Sequence, residues 1–351
     1  MSKSILLIAV LLIFVKIHYL LGDDNDFRYL YESGNYAEVI SAISPLLESN
    51  PDDHLLWYYL GRSRQHLLQY DEARTAFHNV LDIDSLYLPV YFHLGRIYIE
   101  TGDIGMAIEL LNRAYSIDTE NTTILYVLAG VYSRNEQYDE ALDALHRGLQ
   151  LDSHDRRFLR RHAGLTFRMN RFEDAVRSYR TLIELGDSSA VVFRNCGISY
   201  YFLDEEYKAF YYLRTAYFLD ETEPNTLLYY GIVNRTLGNV GYSIDILTDA
   251  VEILSKGIFS DALIHLARSF EMRQEISDAV KKYRLLLDLN NDRPEVYYYL
   301  ASVFDEHYAD RETPKEYYKK FLDQAGGKYP DLETHAKQRV DSIKEELFFN
   351  R

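Results

Sequence analysis

Arg157, Arg160 and Arg161 crowd three guanidinium groups into five residues. A guanidinium is a planar fork that meets carboxylate or phosphate with paired hydrogen bonds and stacks on aromatic rings. From Ile17 to Tyr207 the chain carries 17 arginines and no lysine, whereas ten lysines follow. Arg62, Arg96, Arg134, Arg168, Arg194 and Arg235 recur along it, with Tyr126, Tyr201, Tyr229 and Asn195 among them. Arginine beside tyrosine is the composition of interface hot spots, so the chemistry on offer is recognition of an acidic or carboxylate-bearing partner. A general preference for arginine on helix surfaces would give the same counts.

Catalytic arrangements are not evident. The 11 histidines include no pair at the helical spacing that holds zinc in metalloproteases. His146 and His154 fall in polar surroundings that predict solvation, and His162 falls among apolar positions. Gly326-Gly327-Lys328 lacks the glycine spacing of a phosphate loop and reads as a linker. No serine, histidine and acid grouping stands out. We therefore expect no catalytic residues, no metal ligands and no cofactor. Cys196 is the sole cysteine and cannot form an internal disulfide; a small buried hydrophobe is its expected role. A net charge of −16 makes nucleic acid and anionic membrane surfaces poor partners.

The arginines must be positioned by something periodic. The sequence restarts every 34 residues, at Leu20, His54, Leu88, Thr122, Arg156, Ala190 and Pro224. The fourth place is large from the second copy onward (Trp57, Tyr91, Leu125, Leu159, Phe193, Leu227). The eighth is small (Gly61, Gly95, Ala129, Ala163, Gly197, Gly231), and so is the twentieth (Ala73, Ala107, Ala141, Ala175, Ala209, Ser243). Spacings of three and four keep these on helix faces. Small residues let two helices approach; the bulky fourth, eleventh and twenty-fourth places are expected to fill the gap between copies. Polar turn signals at Gly34-Asn35, Gly102-Asp103, Glu136-Gln137, Asn170-Arg171 and Gly238-Asn239 separate the two helices of a pair. An eighth copy, with Ala267, Phe270, Ala279 and Tyr283, starts near Ser260 and runs two residues late, which predicts a longer connection around Lys256-Gly257. A ninth begins at Pro294. After Gly326-Gly327, the stripe Leu332, Ala336, Val340, Ile343 and Leu347 predicts a final helix, charged on its other face.

Trp57-x-x-Leu60-Gly61 with Ala73-x-x-x-Phe77, and Tyr91-x-x-Leu94-Gly95-x-x-Tyr98 with Ala107, resemble the tetratricopeptide-repeat (TPR) pattern. The resemblance covers about residues 24 to 325 and implies an all-α, right-handed α-solenoid of about nine helix-turn-helix repeats. In that reading residues 1–22 are a signal peptide or N-terminal anchor, 23–325 the solenoid and 326–351 a C-terminal capping helix. In TPR proteins the first helix of each pair lines the inner curve, here through places two, five, six, nine, twelve and thirteen. Those places hold Arg62, Arg96, Arg134, Arg157, Arg160, Arg161, Arg168, Arg194 and Arg235 against the single acid Glu100. They also hold Tyr58, Tyr59, Phe92, Tyr126, Phe167, Tyr201, Phe202 and Tyr229, with His66, His93 and Asn195. Acids return at the ends, with Asp24 and Glu32 early and Asp261, Glu271, Glu295, Asp305 and Glu306 late. The resemblance thus implies a non-enzymatic protein-interaction scaffold that binds an extended or acidic partner in an Arg/Tyr-rich concave groove. An anionic polysaccharide in the same groove is the alternative. Some chaperone-binding members grip a terminal carboxylate with a lysine, asparagine and arginine set. Arg160 and Asn195 are fragments of it, but Gly164 stands where an asparagine is expected, so that activity is not implied.

Residues 1–22 stand outside the period: Lys3, eleven apolar residues from Ile5 to Val15, then Lys16 and His18. That reads as a secretory signal peptide, with an uncleaved anchor as the alternative because Leu20 and Gly22 make a poor cleavage site. The expected location is the periplasm or cell surface, with membrane contact only through this segment if it is retained.

Overall fold

The computed structural model describes residues 26–253, 256–289 and 293–349; the leader read over residues 1–22, the first restart at Leu20 and Asp24 lie outside them. The described residues form 19 helices and no strand, and none of those helices is long and apolar enough to cross a membrane. The chain divides into residues 1–158 and 159–351.

The first unit holds α1 (Asp26–Glu32), α2 (Tyr36–Ser49), α3 (His54–His66), α4 (Tyr70–Ile83), α5 (Leu88–Thr101), α6 (Ile104–Ile117), α7 (Thr122–Arg134) and α8 (Tyr138–Leu151). The unit boundary falls inside α9 (Arg156–Arg168). The second unit continues with α10 (Phe172–Glu184), α11 (Ala190–Phe202), α12 (Glu206–Leu219), α13 (Pro224–Thr236), α14 (Val240–Ile253), α15 (Lys256–Met272), α16 (Ile276–Asp288), α17 (Glu295–His307), α18 (Glu312–Ala325) and α19 (Pro330–Phe349). Six of the seven restarts, from His54 to Pro224, are first residues of helices, so the sequence period is a period of helix pairs.

Within each of the first seven pairs the turn is made by a residue in the left-handed region. Gly34, Leu68, Gly102, Glu136, Asn170, Asp204 and Gly238 carry φ between 56° and 86° and recur every 34 residues. The following N–H reaches back to the helix it has left, as from Gln69 to the Arg64 carbonyl at 2.9 Å, a Schellman closure. In three copies the next first helix is capped from place thirty-four. Asp53 accepts from the Leu55 and Leu56 amides, Asn121 from Ile124, and Glu223 from Thr226.

The core repeats too. In the first unit Ala73, Phe77 and Val80 of α4 pack with Val90, Leu94 and Ile97 of α5. One period later Ala107, Leu111 and Ala114 pack with Ile124, Leu128 and Val131. Places three, seven and ten of the first helix line the seam in both clusters. The expected fourth place divides: Leu125, Leu159 and Leu227 are buried, whereas Trp57 and Tyr91 are only partly buried. Trp57 donates its indole N–H to the Pro51 carbonyl and Tyr91 its hydroxyl to the Ser85 carbonyl, both at 2.8 Å, so these large residues hold the preceding loop. The eighth place is small because the twenty-fourth sits on it: a Cβ on Gly61 would lie 2.7 Å from Phe77.

In the second unit the connection expected around Lys256-Gly257 is helix. α15 has 17 residues against 13 in α13, because Phe259 continues the apolar stripe of Leu263 and Ile264 a turn towards the N-terminus. Pro314 sits in the first turn of α18, where its missing N–H costs nothing. α19 buries Ala336, Val340 and Ile343 on Ala301, Tyr318, Phe321 and Ala325.

Candidate partner-binding faces

In the first unit, Arg62 on α3 is half-buried among aromatic and imidazole groups rather than acids. Its Nη1 donates to the Tyr58 hydroxyl and to His93 Nε2, each at 3.0 Å, and its Nη2 reaches His66 Nε2 at 3.4 Å. The guanidinium lies 5.6 Å from the Tyr31 ring centroid and 5.8 Å from that of Tyr58. The Tyr36 ring stacks on His66 at 4.2 Å. Arg62 Nε and His93 Nδ1 are buried without a partner among the described residues.

Burial, then Arg62 and Arg96, hold both histidines in their neutral form: His66 is lowered, and His93 is pushed down to about 3. The two arginines therefore add positive charge beside both rings, and Arg62 has no carboxylate within ion-pairing distance among the described residues. Burial raises the Tyr31 hydroxyl to about 12, which keeps it neutral also. Arg96 and Arg134 are exposed on α5 and α7, and among the described residues neither has a carboxylate within ion-pairing distance. Arg157 differs. Its guanidinium grips Asp155, Nη2 to Oδ2 at 2.6 Å, while lying 5.7 Å from the Tyr126 ring centroid. That hydrogen-bonded pairing is the main cause holding the Asp155 carboxyl below its usual range.

In the second unit, Arg160 donates through Nε and Nη2 to Asp187 Oδ2, at 2.9 and 2.8 Å. Arg194 Nη1 lies 2.9 Å from Glu223 Oε1, and its Nε donates to Asn195 Oδ1 at 3.0 Å. Asn195 in turn donates to the Tyr179 hydroxyl at 3.1 Å. Arg194, Asn195 and Tyr229 line one cleft of about 370 Å³ with Phe167, Phe172 and Phe202. Tyr201 packs edge-on to Tyr229 beside it, centroids 5.4 Å apart. Arg161 is half-buried and Arg168 exposed on α9, each engaged by other groups. Arg235 is not on an open face: only 7% of it is exposed, and it donates to the His265 carbonyl and contacts Nδ1, each at 3.2 Å. The helical frame places it outward, but His265 in the middle of α15 lies against it.

The nine arginines of the stripe thus do not share one environment. Arg157, Arg160 and Arg194 are neutralised by acids from the loops, at places thirty-four and thirty-two, outside the first-helix stripe in which only Glu100 is acidic. A helix N-cap acid one position before each restart was the available signal for Asp155 and Glu223. The Tyr31 and Tyr36 contribution to the Arg62 cluster was missed because both lie in the copy that starts at Leu20, whereas the stripe is read from the second copy onward. Among the described residues no three acidic, histidine or cysteine side chains gather as a metal site. His146 and His154 are exposed and His162 is buried, its Nδ1 2.8 Å from the Ser178 hydroxyl. Cys196 is buried, and burial raises its thiol to about 12, which leaves it an inert thiol.

Tetratricopeptide-repeat family models match residues 27–77 and residues 102–160. The BBSome complex member BBS4 of Bos taurus is 30% identical over 95 residues, 27% of this chain and 18% of the bovine protein. Its Mus musculus counterpart is 27% identical over 95 residues, so the chain spans less than a fifth of these curated relatives. Among solved structures, YrrB, described as a TPR protein with an unusual peptide-binding site, has a TM-score of 0.48 and 20% identity, covering 53% of this chain and 96% of its own. MamA has a TM-score of 0.44 and 21% identity, covering 48% of this chain and 92% of its own. With two segments matched and helix pairs recurring at one period, the chain is similar to tetratricopeptide-repeat proteins in sequence and in its helix-pair architecture.

Proposed function

We propose that this chain is a non-enzymatic protein-interaction scaffold, exported to the periplasm or cell surface, that takes an acidic segment of its partner on its first-helix faces. One observation carries the choice of contact. Arg62 and Arg96 both act on His66 and His93, and neither holds a carboxylate within ion-pairing distance among the described residues, whereas Arg157, Arg160 and Arg194 already hold acids. A carboxylate arriving beside Arg62 meets a half-buried guanidinium without an acid partner, where a charge-assisted hydrogen bond is strong. One arriving at Arg160 must compete with Asp187. The contact therefore moves from the Arg157, Arg160 and Arg161 group to Arg62 and Arg96.

The test is binding of the full chain to an array of acidic peptides, read by fluorescence anisotropy. Arg62→Gln with Arg96→Gln should weaken capture at least tenfold, and Arg157→Gln should leave it close to wild type. Undiminished binding by the Arg62 and Arg96 variant would refute the placement. Displacement by an oligouronate but not by free peptide would favour an anionic polysaccharide as the natural occupant. Fractionation of the source cells decides the location, and recovery in the cytoplasm would overturn it.

A further inference from the structure

The outer face of α12 departs from that of the other second helices. Four outward positions, eighteen, twenty-two, twenty-five and twenty-nine, hold Asp71, Thr75, His78 and Asp82 in α4, and Asp139, Asp143, His146 and Gln150 in α8. In α10 they hold Glu173, Arg177, Arg180 and Glu184, and in α14 Gly241, Asp245, Thr248 and Glu252. In α12 they are Tyr207, Tyr211, Arg214 and Phe218. These side chains are not borrowed by the core. Tyr207 is 82% exposed, Phe218 67% and Tyr211 55%, and the Arg214 guanidinium lies on the surface 5.7 Å from the Phe210 ring centroid. Isolated exposed aromatics are ordinary, but a seam of them spaced four, three and four along one helix is the pattern of a helix-packing face.

The order of the four residues indicates what covers them. About a point midway between Tyr212 and Leu213 the seam is its own antiparallel complement. A second α12 running the other way sets Tyr207 opposite Phe218 of the other copy, and Tyr211 opposite its Arg214. Each contact occurs twice, the signature of an isologous two-fold interface. The outer pairs are aromatic on aromatic, and the inner pairs set a guanidinium against a tyrosine ring, with no like charges opposed. The stripe offers roughly 400 Å² of aromatic surface per copy, so the pair buries about 800 Å², below the usual range for tight complexes. That area fits an association in the micromolar range rather than a permanent dimer.

We propose that this face of α12 is a self-association surface through which two copies of the chain pair antiparallel. Sedimentation velocity of the full chain from about 1 to 200 µM reads it out. Wild type should shift from monomer to dimer across that range. Tyr211→Arg places arginine opposite arginine twice and should weaken the dimer at least tenfold. The exchanged variant, Tyr211→Arg with Arg214→Tyr, recreates the same ring-and-guanidinium pair across the two-fold and should restore it. Circular dichroism must show all three equally helical; if Tyr211→Arg alters the fold, Tyr207→Ser with Phe218→Ser serves in its place and should likewise yield monomer. A wild type that stays monomeric at 200 µM overturns the proposal and leaves the face to a different protein. Failure of the exchanged variant to recover association overturns the antiparallel register.

Discussion

Arg160 places two donors on one oxygen of Asp187, Nε at 2.9 Å and Nη2 at 2.8 Å, while the other oxygen of that carboxylate takes the Ser189 amide and hydroxyl at 3.1 and 2.7 Å. Burial alone would raise the Asp187 carboxyl, but the Ser189 and Arg160 hydrogen bonds outweigh it and hold the group below its usual range. Its side chain is 3% exposed against 58% for Arg160, so the acid rather than the arginine is the structural partner. Asp187→Ala leaves the Ser189 donors without an acceptor and should cost about 1–3 kcal/mol in urea unfolding. Arg160→Gln should cost under about 1 kcal/mol, since an exposed guanidinium is well screened. The Asp187 contribution is fully present above the unfolded carboxyl value near 3.9 and fades as pH falls through the lower folded value. Equal losses from the two variants would contradict this ranking.

His93 sets a second pH dependence, of opposite origin. Burial, followed by Arg62 and Arg96, pushes it down to about 3, so the folded chain refuses a proton that the unfolded chain takes near 6.5. The stabilisation is intact above 6.5 and falls by about 1.4 kcal/mol for each pH unit below that. His93→Gln keeps an acceptor for Arg62 but cannot be charged. The stability difference between wild type and variant should therefore shift against wild type by about 2 kcal/mol from pH 6.5 to 5. Trp57, the only tryptophan, lies in the same unit and reports its unfolding. A difference that does not vary with pH would mean His93 is not held neutral.

Much of the fold was legible because a repeat array writes the same physical demand many times. Six restarts read from residue types are helix starts, and each turn signal named in the sequence begins at a left-handed residue. Leu68 and Asp204 occupy the same turn place and gave no such signal, since the place is fixed by the chain path and leucine does not announce it. The site was less legible for a different reason. A helical frame assigns directions to the residues of one helix but says nothing of what a loop brings across. Asp155, Asp187 and Glu223 approach from loops, and Arg235 is covered by His265 of the next first helix. Charge read along a single stripe therefore overstated how many arginines remain uncompensated.

Leu68 offers a direct measure of turn strain. It holds φ of 60° at the place where Gly34, Gly102 and Gly238 stand in other copies, and it is 69% exposed, so its side chain contributes little packing. The left-handed conformation costs a branched residue about 1–2 kcal/mol, and glycine returns about 0.5–1 of that through unfolded-state entropy. Leu68→Gly should raise stability by about 0.5–1 kcal/mol. Leu68→Val, with branching at Cβ, should lower it. If thermal melts put valine above glycine, the turn is not the source of strain.

Glycines on neighbouring helices should respond to the same substitution with opposite signs. Gly197 occupies the eighth place of its repeat beneath the twenty-fourth, and a Cβ there would lie 2.7 Å from Leu213 Cγ and 2.9 Å from the Leu213 backbone nitrogen. The side chain could turn aside, but the backbone can yield only if α12 moves away from α11. Gly197→Ala should therefore cost about 1–3 kcal/mol, the range for overpacking. Gly164 stands in the middle of α9 at the adjacent, ninth place of its own repeat. Its surface is exposed, and a methyl group added there would meet nothing within 4 Å. There alanine gains helix propensity without a clash, and Gly164→Ala should stabilise by about 1 kcal/mol. Chemical denaturation of the two variants side by side decides it. If Gly197→Ala proved harmless, α11 and α12 would not be in the close contact that the small eighth place implies.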